Sequence, residues 1–238
     1  MAPTSPGDAD TSFGQNLRAI RSGIDSACRR KGRHPEDVRI IAVAKTYSSK
    51  HVRAAVAAGV RDIGENDVRE LRAKHRDVGG VATWHFVGIL QTHTAHRVAD
   101  LADVVHSAVP GRAAERLSSR AEAAGRRVAA LLQVDLAGRR SGVPEESALA
   151  AFRELAVLPG IELAGLMTLP PEPVTAEDSR PYFRRLSEIR DALRPDRDRP
   201  LELSMGMSGD YEVAVEEGAT MVRIGTALFG ARPVQGKT

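Results

Sequence analysis

Arg39-Ile40-Ile41-Ala42-Val43-Ala44-Lys45 is an apolar run that begins and ends on a positive charge. A stretch of five apolar residues rich in β-branched side chains reads as a strand buried on both faces, as in a parallel sheet. Ser49–Ala58 follows with helical spacing, and Val60–Gly64 is a second β-type run. Strand, helix, strand is the parallel βαβ unit, and the pattern continues along the chain. Further strands are expected at Thr83–Gly88, Val104–His106, Val128–Val134, Ile161–Leu166, Leu201–Leu203 and Met221–Ile224. Between them Asp67–Arg76, His93–Leu101, Arg112–Ala124, Pro144–Leu158, Ser179–Leu193 and Asp210–Glu217 have helical patterns. Eight such units predict an α/β fold, a single closed (β/α)8 TIM barrel. An open doubly wound sheet is the alternative, since the fourth and seventh strands are short.

Outward from this frame, Ser12 is a suitable N-cap for an extra N-terminal helix, Ser12–Lys31, carrying Phe13, Leu17, Ile20 and Ile24. Residues 1–11 read as a disordered tail, 12–232 as the barrel and 233–238 as a C-terminal tail. The 238 residues suit one barrel of about 250 residues. Aromatics at 4% argue against a surface that stacks nucleic-acid bases. A formal charge of +3, with arginines interleaved among acids, reads as a solvated surface. Cys28, the single cysteine, excludes an intrachain disulfide and a cysteine metal cluster. No stretch approaches the ~20 apolar residues of a membrane span, and no signal-peptide core is evident. A cytoplasmic monomer with no nucleic-acid or membrane partner is the expectation.

The polar residues of interest fall after the strands, where barrels place their active face. Lys45 follows strand one, Glu65 and Asn66 strand two, Ser107 strand four, and Gln133 and Asp135 close strand five. Met167 and Thr168 follow strand six, Ser204 strand seven, Gly225 and Thr226 strand eight. Lysine is rare here: the others are Lys31, Lys50, Lys74 and Lys237. A desolvated lysine amine can lose its proton and form an imine, which arginine does not readily do. Ser204-Met205-Gly206-Met207-Ser208-Gly209 and Arg223-Ile224-Gly225-Thr226 suit a phosphate, with glycines that admit close approach and hydroxyls that donate. Either segment alone reads as an ordinary turn; together they occupy the usual phosphate position after strands seven and eight. An imine-forming lysine and a phosphate cradle point to a phosphorylated aldehyde, pyridoxal 5'-phosphate above all. Arg223 lies within the apolar run Met221–Ile224, where a charge needs a partner or a ligand. It is either one half of a structural ion pair or the group that meets the pyridine nitrogen. In the second case its charge keeps that nitrogen unprotonated and weakens the ring as an electron sink.

On these residues the chain resembles the pyridoxal phosphate homeostasis proteins, small relatives of the alanine racemase N-terminal barrel. The matching segments are Ala42–Thr46, Gly64–Asn66, Trp84–Gln91, Gly165–Thr168, Leu203–Asp210 and Val222–Gly230, and the similarity runs from about Phe13 to Ala231. The resemblance implies that Lys45 carries the Schiff base, that Arg223 faces the ring nitrogen, and that Ser208, Gly225 and Thr226 hold the phosphate. Asn66, Ser204, Gly206 and Met207 join them as expected cofactor-binding residues. It implies a non-catalytic carrier in vitamin B6 homeostasis that holds the cofactor as an aldimine and releases it to apo-enzymes. Asp67 stands where the family commonly has tyrosine, and His93 and Thr94 where it has asparagine and lysine.

The rival within the same cofactor class is an amino-acid racemase. It needs a second acid/base group opposite Lys45; in the full-length racemases a tyrosine arrives with a C-terminal domain, and here the sequence ends just after the barrel. A cofactor-independent Schiff-base aldolase is a third reading. His93 and His96 have (i, i+3) spacing but no evident third ligand, so no metal is expected. His85 alternates to the face opposite Trp84 and Phe86 and is expected to be a hydrogen-bonded core histidine. Ser204 and Ser208 lack the motif of a serine hydrolase.

Overall fold

In a computed structural model, which describes residues 6–138, 141–193 and 200–231, the chain closes into a parallel barrel. The strands are β1 (Arg39–Val43), β2 (Asp62–Glu65), β3 (Thr83–Phe86), β4 (Val104–Ala108), β5 (Val128–Asp135), β6 (Val143–Pro144), β7 (Ile161–Met167), β8 (Glu202–Met207) and β9 (Met221–Ile224). Eight of them form the wall, in the order β4-β3-β2-β1-β9-β8-β7-β5, and β4 pairs with β5 to close it. The open-sheet alternative is thereby excluded. The two-residue β6, paired to β5, is an unexpected addition. The two strands expected to be short are five and six residues long. β8 therefore runs through Met207, so Ser204 and Gly206 lie inside a strand rather than in the loop after it.

The helices are α1 (Pro6–Arg30), α2 (Ser49–Ala57), α3 (Val68–Val78), α4 (Ala95–Leu101), α5 (Arg112–Ala123), α6 (Ala148–Ala156), α7 (Arg180–Ala192), α8 (Tyr211–Glu216) and α9 (Thr226–Phe229). α1 begins six residues ahead of Ser12. Residues 1–5 and the expected C-terminal tail, 233–238, lie outside the described residues. Asp67, which the family pattern would make a tyrosine, is the N-cap of α3. Its Oδ1 accepts from the backbone N–H groups of Arg69 at 2.8 Å and Glu70 at 3.2 Å, a cap of about 1 kcal/mol. His93 precedes α4 while His96 lies within it, so they do not share that helix.

Strand alternation produces two cores. One face of each strand packs outward against the helices, in a cluster that includes Trp84, Leu117, Phe183 and Leu203. The other face fills the lumen, where Ile41, Leu131, Met167 and Met221 form a small apolar cluster. The rest of the lumen is polar, holding the fully buried His85, His106 and Ser204, and Arg223 at 6% exposure. His85 is thus a core histidine, hydrogen-bonded as its alternation predicts.

α1 packs against the last helices of the chain: Asn16 Nδ2 donates to Leu228 O at 3.1 Å, and Phe13 meets Phe229 at 5.4 Å between ring centroids. Gly206 has φ +88°, and a Cβ there would lie 2.5 Å from Ala214 Cβ of α8. Its glycine thus serves strand-to-helix packing. Gly206→Ala is expected to destabilise the chain by roughly 1–3 kcal/mol or more, lowering Tm by several degrees in a thermal melt.

Candidate functional site

Lys45 sits two residues beyond β1, half-buried, and shares the parity of the lumen residue Ile41. The next residue, Thr46, has φ +72°, the single non-glycine in the left-handed region among the described residues. That conformation costs of order 1–3 kcal/mol and persists only where its surroundings enforce it. The enforcement comes from α3. Glu70 Oε2 accepts from Thr46 N at 2.9 Å, and Lys74 Nζ donates to Ala44 O at 2.8 Å. The backbone on both sides of Lys45 is therefore held by one helix.

Lys74 is itself buried. Its ammonium also contacts Glu65 Oε1 at 2.6 Å and Glu70 Oε2 at 2.8 Å. Glu65 is wholly buried, and its Oε2 has no hydrogen-bond partner among the described residues. Burial pushes its carboxyl up to about 7, against the opposing pull of Lys74. One ammonium serves two carboxyls, and Glu65 is the more deeply buried of them. Sequence reading placed Glu65 near the site but missed Lys74 and Glu70. Their signal was the (i, i+4) acid–base pair on α3 and the rarity of lysine.

Register places Arg223 beside Ile41 on the neighbouring strand, and Gly225 next to Val43, whose carbonyl lies 3.5 Å from where a Gly225 Cβ would sit. Arg223 Nη1 donates to Ser204 Oγ at 2.5 Å, and Nη2 to Thr168 O at 3.0 Å. Among the described residues no carboxylate forms an ion pair with it, so the structural ion pair is not found. Burial pulls the guanidinium down to about 10, with Asp210 opposing at longer range; it remains a cation at neutral pH.

The two glycine-containing segments meet. Ala227 N donates to Ser208 Oγ at 3.4 Å, joining the β8–α8 turn to the start of α9. Gly209 has nothing among the described residues within 4 Å of a would-be Cβ, and Thr226 is exposed. Met207 is partly exposed, and its backbone N–H is occupied by Asp210 Oδ1 at 2.7 Å. Asn66 is exposed beyond β2, with its carbonyl against Gly88, where a Cβ would fall 2.2 Å away. Lys45, Arg223, Ser208, Gly225 and Thr226 thus gather at one end of three adjacent staves, β1, β9 and β8. Ser204 and Gly206 lie lower, inside the wall. Among the described residues no helix is long and apolar enough to cross a membrane, and no group of three or more His, Cys, Asp or Glu is placed to hold a metal.

The model of the alanine racemase N-terminal domain family matches residues 15–233. The chain is 36% identical to the pyridoxal phosphate homeostasis protein of Aquifex aeolicus, over 92% of this chain and 97% of that one. It is 39% identical to the protein of the same name from Pseudomonas aeruginosa, over 93% and 96%. Among solved structures it is similar to PipY of Synechococcus elongatus, solved with PLP bound, at a TM-score of 0.80 and 34% identity, over 92% and 100% of the chains. The likeness to alanine racemase from Corynebacterium glutamicum, with a TM-score of 0.67 and 20% identity over 96% and 63%, is one of fold.

Because the folded chain protonates Glu65 more readily than the unfolded chain, folding takes up a proton between the ordinary value of 4.5 and about 7. The stability this provides is full below about 4.5 and is lost as pH rises through about 7. Thermal melts across that window are expected to show Glu65→Gln losing less stability than the unmodified chain, by roughly 1–3 kcal/mol. Parallel pH profiles for the two proteins would overturn the assignment.

Proposed function

The chain belongs to the family of the pyridoxal phosphate homeostasis proteins, within the alanine racemase N-terminal domain family, and on that premise we propose that it binds pyridoxal 5'-phosphate at the C-terminal end of its barrel as a carrier without catalytic turnover. When bound, this group supplies an aldehyde that forms a reversible imine with an amine, a pyridine nitrogen that accepts a hydrogen bond, and a phosphate dianion. The chain offers a matching group for each. Lys45 holds the aldehyde end, Arg223 donates to the ring nitrogen, and Ser208, Gly225 and Thr226 hold the phosphate. Asn66 and Met207 border the same opening.

The observation that carries this reading is Arg223. A guanidinium buried in the lumen, with no contacting carboxylate among the described residues, has two of its five N–H groups anchored, to Ser204 and Thr168. Its cost of burial makes sense where a ligand acceptor completes it. The open space around Gly209, and the bond joining Ser208 to Ala227, fit a phosphate approaching the backbone. Lys45 is carried on a turn that α3 braces from both sides, which orients the amine before a ligand arrives.

Two features favour holding the cofactor over turning over a substrate. The positive charge of Arg223 keeps a proton off the ring nitrogen and limits its capacity to take up electrons. A racemase also needs a second proton-transfer group facing Lys45. Tyr47 does not supply it: its hydroxyl donates to Gly230 O at 2.7 Å and its ring packs 4.8 Å from Phe229. Tyr211 packs against Gly23 of α1, outside the barrel.

Borohydride treatment of the full chain loaded with pyridoxal phosphate, followed by peptide mapping, is expected to place the modification on Lys45. Lys45→Ala abolishes it with the fold intact, because the residue stands at a strand end. Trapping on another lysine would overturn the site. Thr226→Val is expected to weaken retention by roughly 1–3 kcal/mol, read in a dialysis or titration assay. Amino-acid racemisation by the loaded chain would overturn the carrier reading.

A further inference from the structure

Beneath Arg223 the lumen contains a series of hydrogen bonds that the proposed ligand contacts do not use. Arg223 Nη1 reaches Ser204 Oγ at 2.5 Å, and His106 Nδ1 lies 2.8 Å from the same oxygen. His106 Nε2 is 2.8 Å from His85 Nδ1, and His85 Nε2 is 2.9 Å from Asp62 Oδ1. The five residues come from β9, β8, β4, β3 and β2, so the series crosses the lumen from the proposed site to the opposite rim. His85, His106 and Ser204 have no exposed surface. At the rim, Arg39 faces Asp62 at 3.9 Å and Glu202 at 3.0 Å.

The two ends, with one proton on each imidazole, fix the direction of every bond. A guanidinium only donates, and a carboxylate only accepts. Ser204 Oγ accepts from Arg223, and its one proton goes to His106 Nδ1. His106 then carries its own proton on Nε2 and gives that bond to His85 Nδ1. His85 in turn carries its proton on Nε2 and gives it to Asp62. Each link has one proton, both imidazoles are neutral, and four donors point one way. The reverse direction sets Ser204 Oγ between two donors and requires His85 to carry protons on both nitrogens. Burial, with His85, Arg223 and Arg39 close by, pushes His106 well below the usual histidine range, so His106 carries one proton and not two.

We propose that Asp62, His85 and His106 are positioning residues which act through Ser204 to hold the Arg223 guanidinium in one orientation toward the ligand, with both histidines in the Nε2–H tautomer. The inference rests on the reading of Arg223 as the group that meets the cofactor ring. It makes a residue at the far rim, Asp62, a determinant of the site.

The test is NMR of the full chain labelled with ¹⁵N-histidine, recorded with and without pyridoxal phosphate. The expected result near neutral pH is an Nε2–H tautomer at both His85 and His106 in the ligand-free chain; an Nδ1–H tautomer at His106 would overturn the proposal. Asp62→Asn exchanges the obligate acceptor for an amide that can donate to His85 Nε2, so Nδ1–H is expected to gain population at His106, two links away. An unchanged His106 in a folded Asp62→Asn chain would overturn the directional relay; should that variant not fold, the tautomers of the unmodified chain decide. In the loaded protein Asp62→Asn is expected to shift the visible band of the bound cofactor, and an unmoved band would confine these residues to a structural role. Failure of the chain to bind pyridoxal phosphate would count against the carrier reading and leave the tautomer result standing.

Discussion

Arg223 brings a positive charge into the barrel lumen, and no carboxylate among the described residues forms an ion pair with it. A buried cation in that position is tolerable only if its donors are met and its field is answered at some distance. The wall does both. Ser204 and Thr168, on the two preceding barrel staves and their ends, take two donors, and the relay through His106 and His85 ends on the anion of Asp62. The lumen is consequently divided: Ile41, Leu131, Met167 and Met221 fill one part with apolar volume, and the relay fills the other. A lumen packed only with aliphatic side chains would have no means of presenting a fixed guanidinium at its end.

Lys74 solves a similar problem on the outside of the sheet. Its ammonium is buried between α3 and the ends of β1 and β2, where it bonds two carboxyls and the carbonyl of Ala44, just past β1. Those bonds and the one from Thr46 N to Glu70 hold a left-handed residue next to Lys45. Strain at a functional turn needs surroundings that over-determine the backbone, and a helix reaching both flanking peptides supplies that. The two lysines have different tasks: Lys74 is paired between α3 and the strand ends, and Lys45 is carried half-buried beyond β1. The chain's use of arginine for most surface charge makes both stand out, although only Lys45 lies at a strand end.

The barrel was legible in the sequence because its evidence is repetitive. Buried parallel strands read as short apolar runs, and all eight expected ones are present, with ends moved by a few residues. The largest shift, in β8, has a specific reason: Ser204 and Gly206 break the apolar run that marks a strand, yet both are needed inside the wall, one to receive Arg223 and one to admit Ala214. Lys45, Arg223 and the two glycine-containing turns were legible as chemistry placed at strand ends. The relay was not. His85, His106 and Asp62 are 21 and 23 residues apart along the chain from one another at their contacts, and only barrel closure with its register sets them in line. Alternation identified His85 as a lumen residue, but one strand's pattern says nothing of what stands across from it.

A carrier and a catalyst built on this barrel make different demands of the same residues. Turnover through a carbanion wants a ring that accepts electrons and acid/base groups on both faces of the substrate. Holding an aldehyde wants a fixed amine, a phosphate seat and a ring environment that discourages further chemistry. A guanidinium anchored through a chain of oriented donors is suited to the second demand, since its own proton is hard to remove and its charge opposes protonation of its neighbour. The braced turn around Lys45 serves the same end by fixing the attachment point. Within the proposed reading, both polar networks therefore act before any ligand arrives: one holds the turn that carries the amine, the other sets the orientation of the cation.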